Sequence, residues 1–99
     1  MTHLRLWQFE VPADCEPRFL SAYGPQGDWA QLFARTPGFI RTELWRDEDG
    51  RYLTADRWES LDAFNRFQAT TGDEYRSLDI ELGDIAGIET FIGAFEMVD

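Results

Sequence analysis

Lysine is absent from this 99-residue sequence, and histidine and cysteine occur once each, as His3 and Cys15. Without lysine there is no side-chain amine for Schiff-base catalysis and no lysine for a phosphate-cradling loop. A single cysteine cannot close an internal disulfide, which points to a reducing compartment. A single histidine leaves almost no material for a His-rich metal centre or a Ser-His-Asp triad, and His3 reads as an exposed residue near a chain end. No apolar run approaches the length that spans a bilayer, and no basic-then-apolar leader opens the sequence. A cytoplasmic protein is the expectation. Positive charge is also scarce, with nine arginines against nineteen acidic residues and a net charge of -10. Duplex nucleic acid and anionic membrane surfaces would be repelled, so neither is expected as a partner.

Apolar and aromatic residues are plentiful: 43% of the sequence is hydrophobic, and four Trp and eight Phe are present. A chain of this length buries roughly two thirds of its unfolded surface, enough for one domain over residues 1–99 with a single modest core. The aromatic content exceeds what such a core needs. Part of it is expected to meet a ligand or a second subunit.

The apolar pattern sets the order of elements. His3 to Val11 alternates as a central strand, with Trp7, Phe9 and Val11 on one face and Leu4 and Leu6 on the other. Pro17 suits a first helical turn, and Phe19, Leu20 and Tyr23 recur at helical spacing until Gly24-Pro25-Gln26-Gly27 interrupts. That break reads either as a kinked connection or as a mobile lid. Asp28 can cap a second piece carrying Trp29, Leu32 and Phe33, which ends at Pro37-Gly38. From Pro37 to Ser60 come two strands around an acidic turn, where Asp49-Gly50 is a hairpin signal. The Asp47 to Gly50 run reads as a solvated turn rather than a calcium loop, since it lacks the spacing and closing Glu of one. Ser60 caps a further helix bearing Phe64 and Phe67; Thr70-Thr71-Gly72 breaks it, and Tyr75, Leu78 and Leu82 resume the stripe. Ile88 to Val98 is a last strand, apolar on both faces.

The order is βαββαβ: an α+β, ferredoxin-like fold with a four-stranded antiparallel sheet and its helices on one face. Nothing in the chain is left to cover the other sheet face. A homodimer packed sheet to sheet is therefore expected.

Pro37-Gly38-Phe39 leading into Thr42-Glu43-Leu44, and Asp56-Arg57-Trp58-Glu59-Ser60 running into a helix with Ala63-Phe64, resemble the antibiotic biosynthesis monooxygenase (ABM) family of the dimeric α/β-barrel superfamily. The segment Tyr23 to Trp29, followed by Leu32-Phe33, is similar to one uncharacterised branch. The resemblance spans nearly the whole chain. It implies a homodimer forming a dimeric α/β barrel, with a pocket between sheet and helices in each subunit. It also implies oxidation of a small aromatic or quinol substrate by dioxygen with no metal or flavin, hence no cofactor. Haem-degrading relatives take a proximal His from the second helical region; Asp73 to Leu82 offers Tyr75 and Arg76 instead, which argues against that chemistry. A non-catalytic small-molecule binding or accessory dimer is the alternative.

Oxygenating a phenol requires a base to make an electron-rich anion and groups that hold negative charge while oxygen adds. With a loop of Asp47 to Gly50, Trp45 faces Tyr52, Arg41 faces Asp56 and Phe39 faces Trp58. One face then carries Phe39, Arg41, Glu43, Trp45, Tyr52, Asp56 and Trp58, and the other carries Ile40, Leu44, Leu53 and Ala55. Asp56 and Arg41 are the candidate catalytic pair, with Glu43 as a second base and Arg57, Gln8 or a Trp indole as further stabilisers. Trp7, Trp29, Trp58, Phe67 and Tyr75 are the candidate walls for a planar ligand. Each has a second reading: Arg41 and Asp56 as a structural cross-strand pair, the tryptophans as core or dimer contacts. No metal ligands are expected.

Overall fold

A computed structural model describes residues 1–98. The elements run β1 (His3–Glu10), α1 (Glu16–Tyr23), α2 (Asp28–Phe33), β2 (Phe39–Arg46), β3 (Tyr52–Trp58), α3 (Leu61–Leu82) and β4 (Ile88–Glu96), with short 3-10 turns at Ala13–Cys15 and Gly83–Ala86. The sheet order is β2-β3-β1-β4, and every neighbouring pair is antiparallel. This is the ferredoxin-like α+β arrangement that the apolar pattern predicts.

The helices cover the sheet face that carries His3, Arg5, Trp7 and Phe9 of β1. Phe9, Phe19, Tyr23, Trp29, Trp58 and Phe67 are buried together on that side. α1 starts with Pro at its first turn and buries Phe19, Ala22 and Tyr23, spaced to lie on one stripe. The Gly24 to Gly27 connection is packed rather than loose: a methyl on Gly27 would collide with the backbone of Ser21 and Ala22. Gly27, not Asp28, is the cap of α2; Asp28 is its first residue and pairs with Arg18 at 3.3 Å.

Gly38 explains why Pro37-Gly38-Phe39 and the Ser60 to Ala63 segment occur together. Its φ is +100°, and a methyl there would sit 2.5 Å from the Ala63 side chain. Its carbonyl accepts the Glu59 N–H at 2.7 Å, while the Ser60 hydroxyl accepts the Ala63 N–H at 3.1 Å and caps α3. Close approach of backbone to helix start therefore needs glycine at 38 and a small residue at 63.

α3 bends at Thr71, whose φ of -123° lies outside the helical range. The Thr70 and Thr71 hydroxyls donate back to the carbonyls of Arg66 and Phe67, competing with the helix ladder where the flexible Gly72 follows. The first half of α3 carries Phe64 and Phe67 into the core. The second half carries Tyr75 and Asp79.

The hairpin register differs from the expectation. Five residues, 47–51, join the strands: the Asp47 carboxylate accepts the N–H groups of Asp49 and Arg51 and pairs with the Arg51 side chain at 2.9 Å, drawing Arg51 into the turn. Arg46 consequently lies opposite Tyr52, and Thr42 opposite Asp56. An irregularity at Ile40 then restores the Phe39–Trp58 pair. Arg41, Glu43 and Trp45 thus share the helix-free face with Leu53, Ala55 and Arg57, away from Asp56. A second bulge shifts β4, so that Phe91 lies opposite Trp7 on the helix side while Phe95 lies opposite Leu4 on the open side. The alternation expected for Ile88 to Val98 breaks at that point.

His3 is also corrected: it is 3% exposed rather than solvated, cross-strand from Trp58 and packed on Phe64. Register on the central strand, not closeness to a terminus, decides its burial. The helix-free face leaves Trp45, Ile88 and Phe95 exposed. No helix among the described residues is long and apolar enough to cross a membrane.

Candidate functional site

Between the sheet and the helices lies a cavity of about 60 Å³. Six rings wall it: Trp7 and Phe9 from β1, Tyr23 from α1, Trp29 and Phe33 from α2, and Tyr75 from α3. Its polar lining is Thr42, Thr54, Asp56, Asp79 and Glu89. Each sheet residue arrives by alternation: Phe9 pairs with Tyr52, Trp7 with Thr54, and Arg5 with Asp56, all on the covered face.

Whereas Asp79 and Glu89 are exposed, Asp56 is the buried carboxylate of this cavity. It is 9% exposed, and the Thr42 hydroxyl donates to its Oδ1 at 2.7 Å. Burial pushes its carboxyl up to about 6, against the opposing pull of the Thr42 hydrogen bond and the Arg5 charge. A carboxylate that titrates near neutrality can both take and return a proton. Arg5 lies over the rings of Phe64 and Phe91, with its guanidinium carbon 4.0 and 5.0 Å from their centroids. It supplies a positive charge beside Asp56 without lining the cavity.

The phenols are set for neutrality. Burial raises Tyr23 to about 12 and raises Tyr75 as well, with Asp79 and Glu89 adding to the shift at Tyr75. The Tyr75 ring is 4.9 Å from that of Trp29 at the open end of the cavity, and Tyr75 is 39% exposed. Trp29 is buried, and its indole N–H makes no hydrogen bond of good geometry, although it lies close enough to the Tyr23 hydroxyl to favour the phenolate. Glu89 is raised by partial desolvation and by Asp79.

Of the candidates read from the sequence, Asp56, Trp7, Trp29 and Tyr75 meet at this cavity. Trp58 and Phe67, each 1% exposed, pack behind it with ring centroids 5.3 Å apart. Arg41 stands on the opposite sheet face, bonded to Glu43 at 2.9 Å, and does not face Asp56. Glu43 is held ionised, chiefly by the Arg41 hydrogen bond, which makes it a poor base. Gln8 and Arg57 also point to the helix-free face.

Thr42, Arg5, Asp79 and Glu89 were missed. The alternation His3-Arg5-Trp7-Phe9 was signal enough for Arg5, and Asp79 lies one helical turn beyond Tyr75. Thr42 needed the register. Among the described residues no group of three or more His, Cys, Asp or Glu side chains is placed to hold a metal.

The profile of the family described as antibiotic biosynthesis monooxygenase matches residues 4–76. The chain belongs to that family. Among solved ABM-like structures, SnoaB, a cofactor-independent oxygenase from Streptomyces nogalater, is 27% identical, with 99% of this chain and 94% of that chain covered and a TM-score of 0.64. A monooxygenase from the gene ActVA-Orf6 of Streptomyces coelicolor, in complex with nanaomycin D, shares the fold at 19% identity and a TM-score of 0.65, over 98% of this chain and 88% of that one. YqjZ of Bacillus subtilis (strain 168), an uncharacterised protein, is 36% identical over 52 residues, which is 52% of this chain and 46% of YqjZ. The match thus spans about half the length of that relative. The family match places the chain among antibiotic biosynthesis monooxygenase-like proteins.

Proposed function

We propose that this ABM protein oxygenates a small phenol or quinol with dioxygen and no bound cofactor, using Asp56 as the proton-transferring group. The observation that carries this reading is a buried carboxyl titrating at about 6 on the wall of an aromatic cavity. Ionised Asp56 takes the phenolic proton. The phenolate donates an electron to dioxygen, and the resulting pair combines to a hydroperoxide at a ring carbon, protonated from Asp56. Loss of the ring C–H proton and cleavage of the O–O bond release water and leave a quinone. Phenol and dioxygen thus give quinone and water, with all four electrons coming from the substrate. No external reductant is needed. Thr42 orients the carboxylate, and Arg5 places positive charge where the anion develops. Trp7, Trp29 and Tyr75 offer flat walls to the ring.

At about 60 Å³ the cavity holds dioxygen or a few waters, whereas ligand pockets commonly reach roughly 300–1,000 Å³. Admitting a ring therefore requires the cavity to widen, and the half-exposed Tyr75 wall beyond the α3 bend is the side with room to give. The small volume favours the second reading, a binding or accessory protein that turns nothing over. An oxygen electrode separates the two. With phenols, naphthols, anthrones and quinols, uptake matching quinone formation one to one is expected. Ligand binding with no uptake across the panel would favour the accessory role.

Assembly belongs to the same reading. Trp45, Ile88 and Phe95 make the helix-free sheet face apolar, as suits a homodimer closed sheet to sheet in the cytoplasm. Light scattering should give twice the chain mass at micromolar concentration. Phe95→Glu should shift it to monomer, because a buried unpaired charge costs several kcal/mol. A wild-type monomer would remove this part of the proposal.

A further inference from the structure

The charge of the cavity lining is one-sided in a way that an oxygenase of neutral phenols does not require. Asp56, Asp79 and Glu89 line it, and no arginine does. At the inner wall the Asp56 charge is offset by Arg5 across the strand pair. At the mouth no such offset exists: neither Asp79 nor Glu89 has a salt-bridge partner among the described residues. The two carboxylates come from different elements, α3 and β4, and line the same cavity; after partial burial, the Asp79 charge is what raises the Glu89 carboxyl, and both acids raise Tyr75. Both side chains are exposed at the cavity edge, and a cation seated between them would relieve the repulsion that Glu89 feels from Asp79.

The rings beside them supply the complementary half of such a site. Tyr23, Trp29 and Tyr75 converge within 4.9–6.1 Å of one another along the Tyr23–Trp29–Tyr75 chain. Aromatic faces attract an ammonium by roughly 0.5–2 kcal/mol each when water is excluded, and rings combined with carboxylates form the usual cage for alkylamines. The buried Trp29 indole N–H, which makes no hydrogen bond of good geometry although the Tyr23 hydroxyl is nearby, can donate to an acceptor oxygen on the same ligand. The net charge of -10 adds a long-range field of the same sign.

We propose that the cavity mouth is a subsite for a protonated amine formed by Asp79, Glu89, Trp29 and Tyr75, so that the ligands of this protein are hydroxyaryl compounds bearing a cationic alkylamine arm. This rests on the reading of the cavity as the ligand site and is independent of whether oxygen chemistry follows. Anionic ligands, including carboxylated rings and propionate-bearing macrocycles, are disfavoured at the same mouth.

Tyramine, tyrosol and 4-hydroxyphenylacetate share a phenol and a two-carbon arm but end in a cation, a neutral hydroxyl and an anion. Titration calorimetry at pH 7.5 in low salt should rank them in that order, with tyramine about tenfold tighter than tyrosol. The double variant Asp79→Asn, Glu89→Gln should remove most of the tyramine-to-tyrosol ratio, and added salt should compress it. Equal affinities, a preference for the anion, a ratio unmoved in the double variant, or binding of none of the three would each overturn the proposal. Oxygen uptake measured on the same three compounds keeps the questions apart. Tight tyramine binding without uptake sinks the oxygenase reading alone, while uptake with charge-blind binding sinks the amine subsite alone.

Discussion

Asp56→Asn should lose at least about a hundredfold of any oxygen-consuming turnover and yet unfold at a higher temperature than wild type above pH 7. The first effect is the usual scale for removing a positioned base. The second follows from burial. The folded carboxyl titrates at about 6 against a usual value of 3.8, so folding favours the protonated form. The stability that Asp56 contributes is fully present below the unfolded value and is lost as pH rises through the folded one. At about 1.4 kcal/mol per unit, the ionised group at pH 8 costs the fold up to about 3 kcal/mol. Asparagine carries no charge, and its carbonyl can still accept from Thr42. Melting curves at pH 4 and pH 8 test this: the variant should gain on wild type only at the higher pH. A variant equally destabilised at both values would mean that the carboxylate is not strained by burial. Activity of wild type should likewise rise through pH 6 as the base ionises.

Trp58→Ala should cost roughly 3–5 kcal/mol, the range for deleting a large buried ring. A domain of this size commonly has only about 5–15 kcal/mol in total. Trp58 is 1% exposed, with the rings of Phe33, Phe39, Phe64 and Phe67 at 5.1–5.7 Å. The alanine variant is therefore expected to be largely unfolded at physiological temperature. Trp58→Phe keeps most of the ring contact and carries the diagnostic. It should lower the urea midpoint while leaving ligand affinity within about twofold, as for residues that do not touch a ligand. A large change in affinity at an unchanged midpoint would return Trp58 to the ligand wall.

Local signals made the element order legible. Ser60 had to cap because its hydroxyl replaces a missing helical partner, and Thr70-Thr71-Gly72 had to bend α3 because hydroxyls there compete for carbonyls. The PGF and WES segments of the family are also readable as one contact, Gly38 against Ala63. Register was not legible. Asp47 draws Arg51 into the turn through hydrogen bonds that composition does not announce, and one extra loop residue exchanges the faces of a strand. The same slip put Arg41 opposite Asp56 in the sequence reading and hid Thr42. Bulges at Ile40 and beside Gly93 interrupt alternation with no local mark beyond a glycine. His3 was misread because burial depends on which strand lies at the sheet centre, a property of the whole topology. Asp79 and Glu89 reach one cavity from the consecutive elements α3 and β4 because the chain reverses at Gly83–Ala86, a reversal whose direction the local pattern does not give.

The bend at Thr71 divides the work of one helix between two tasks. The half before it is fastened into the ring cluster and can come loose only when the whole protein does. The half after it carries Tyr75 at the cavity edge and returns to the core at Leu82, with Leu78 packed partly against it. Substitution at the half-exposed Tyr75 should therefore alter how long a ligand stays more than it alters the melting point, whereas substitution at the buried Leu82 should lower the melting point, so residence time and durability can be tuned separately along a single helix.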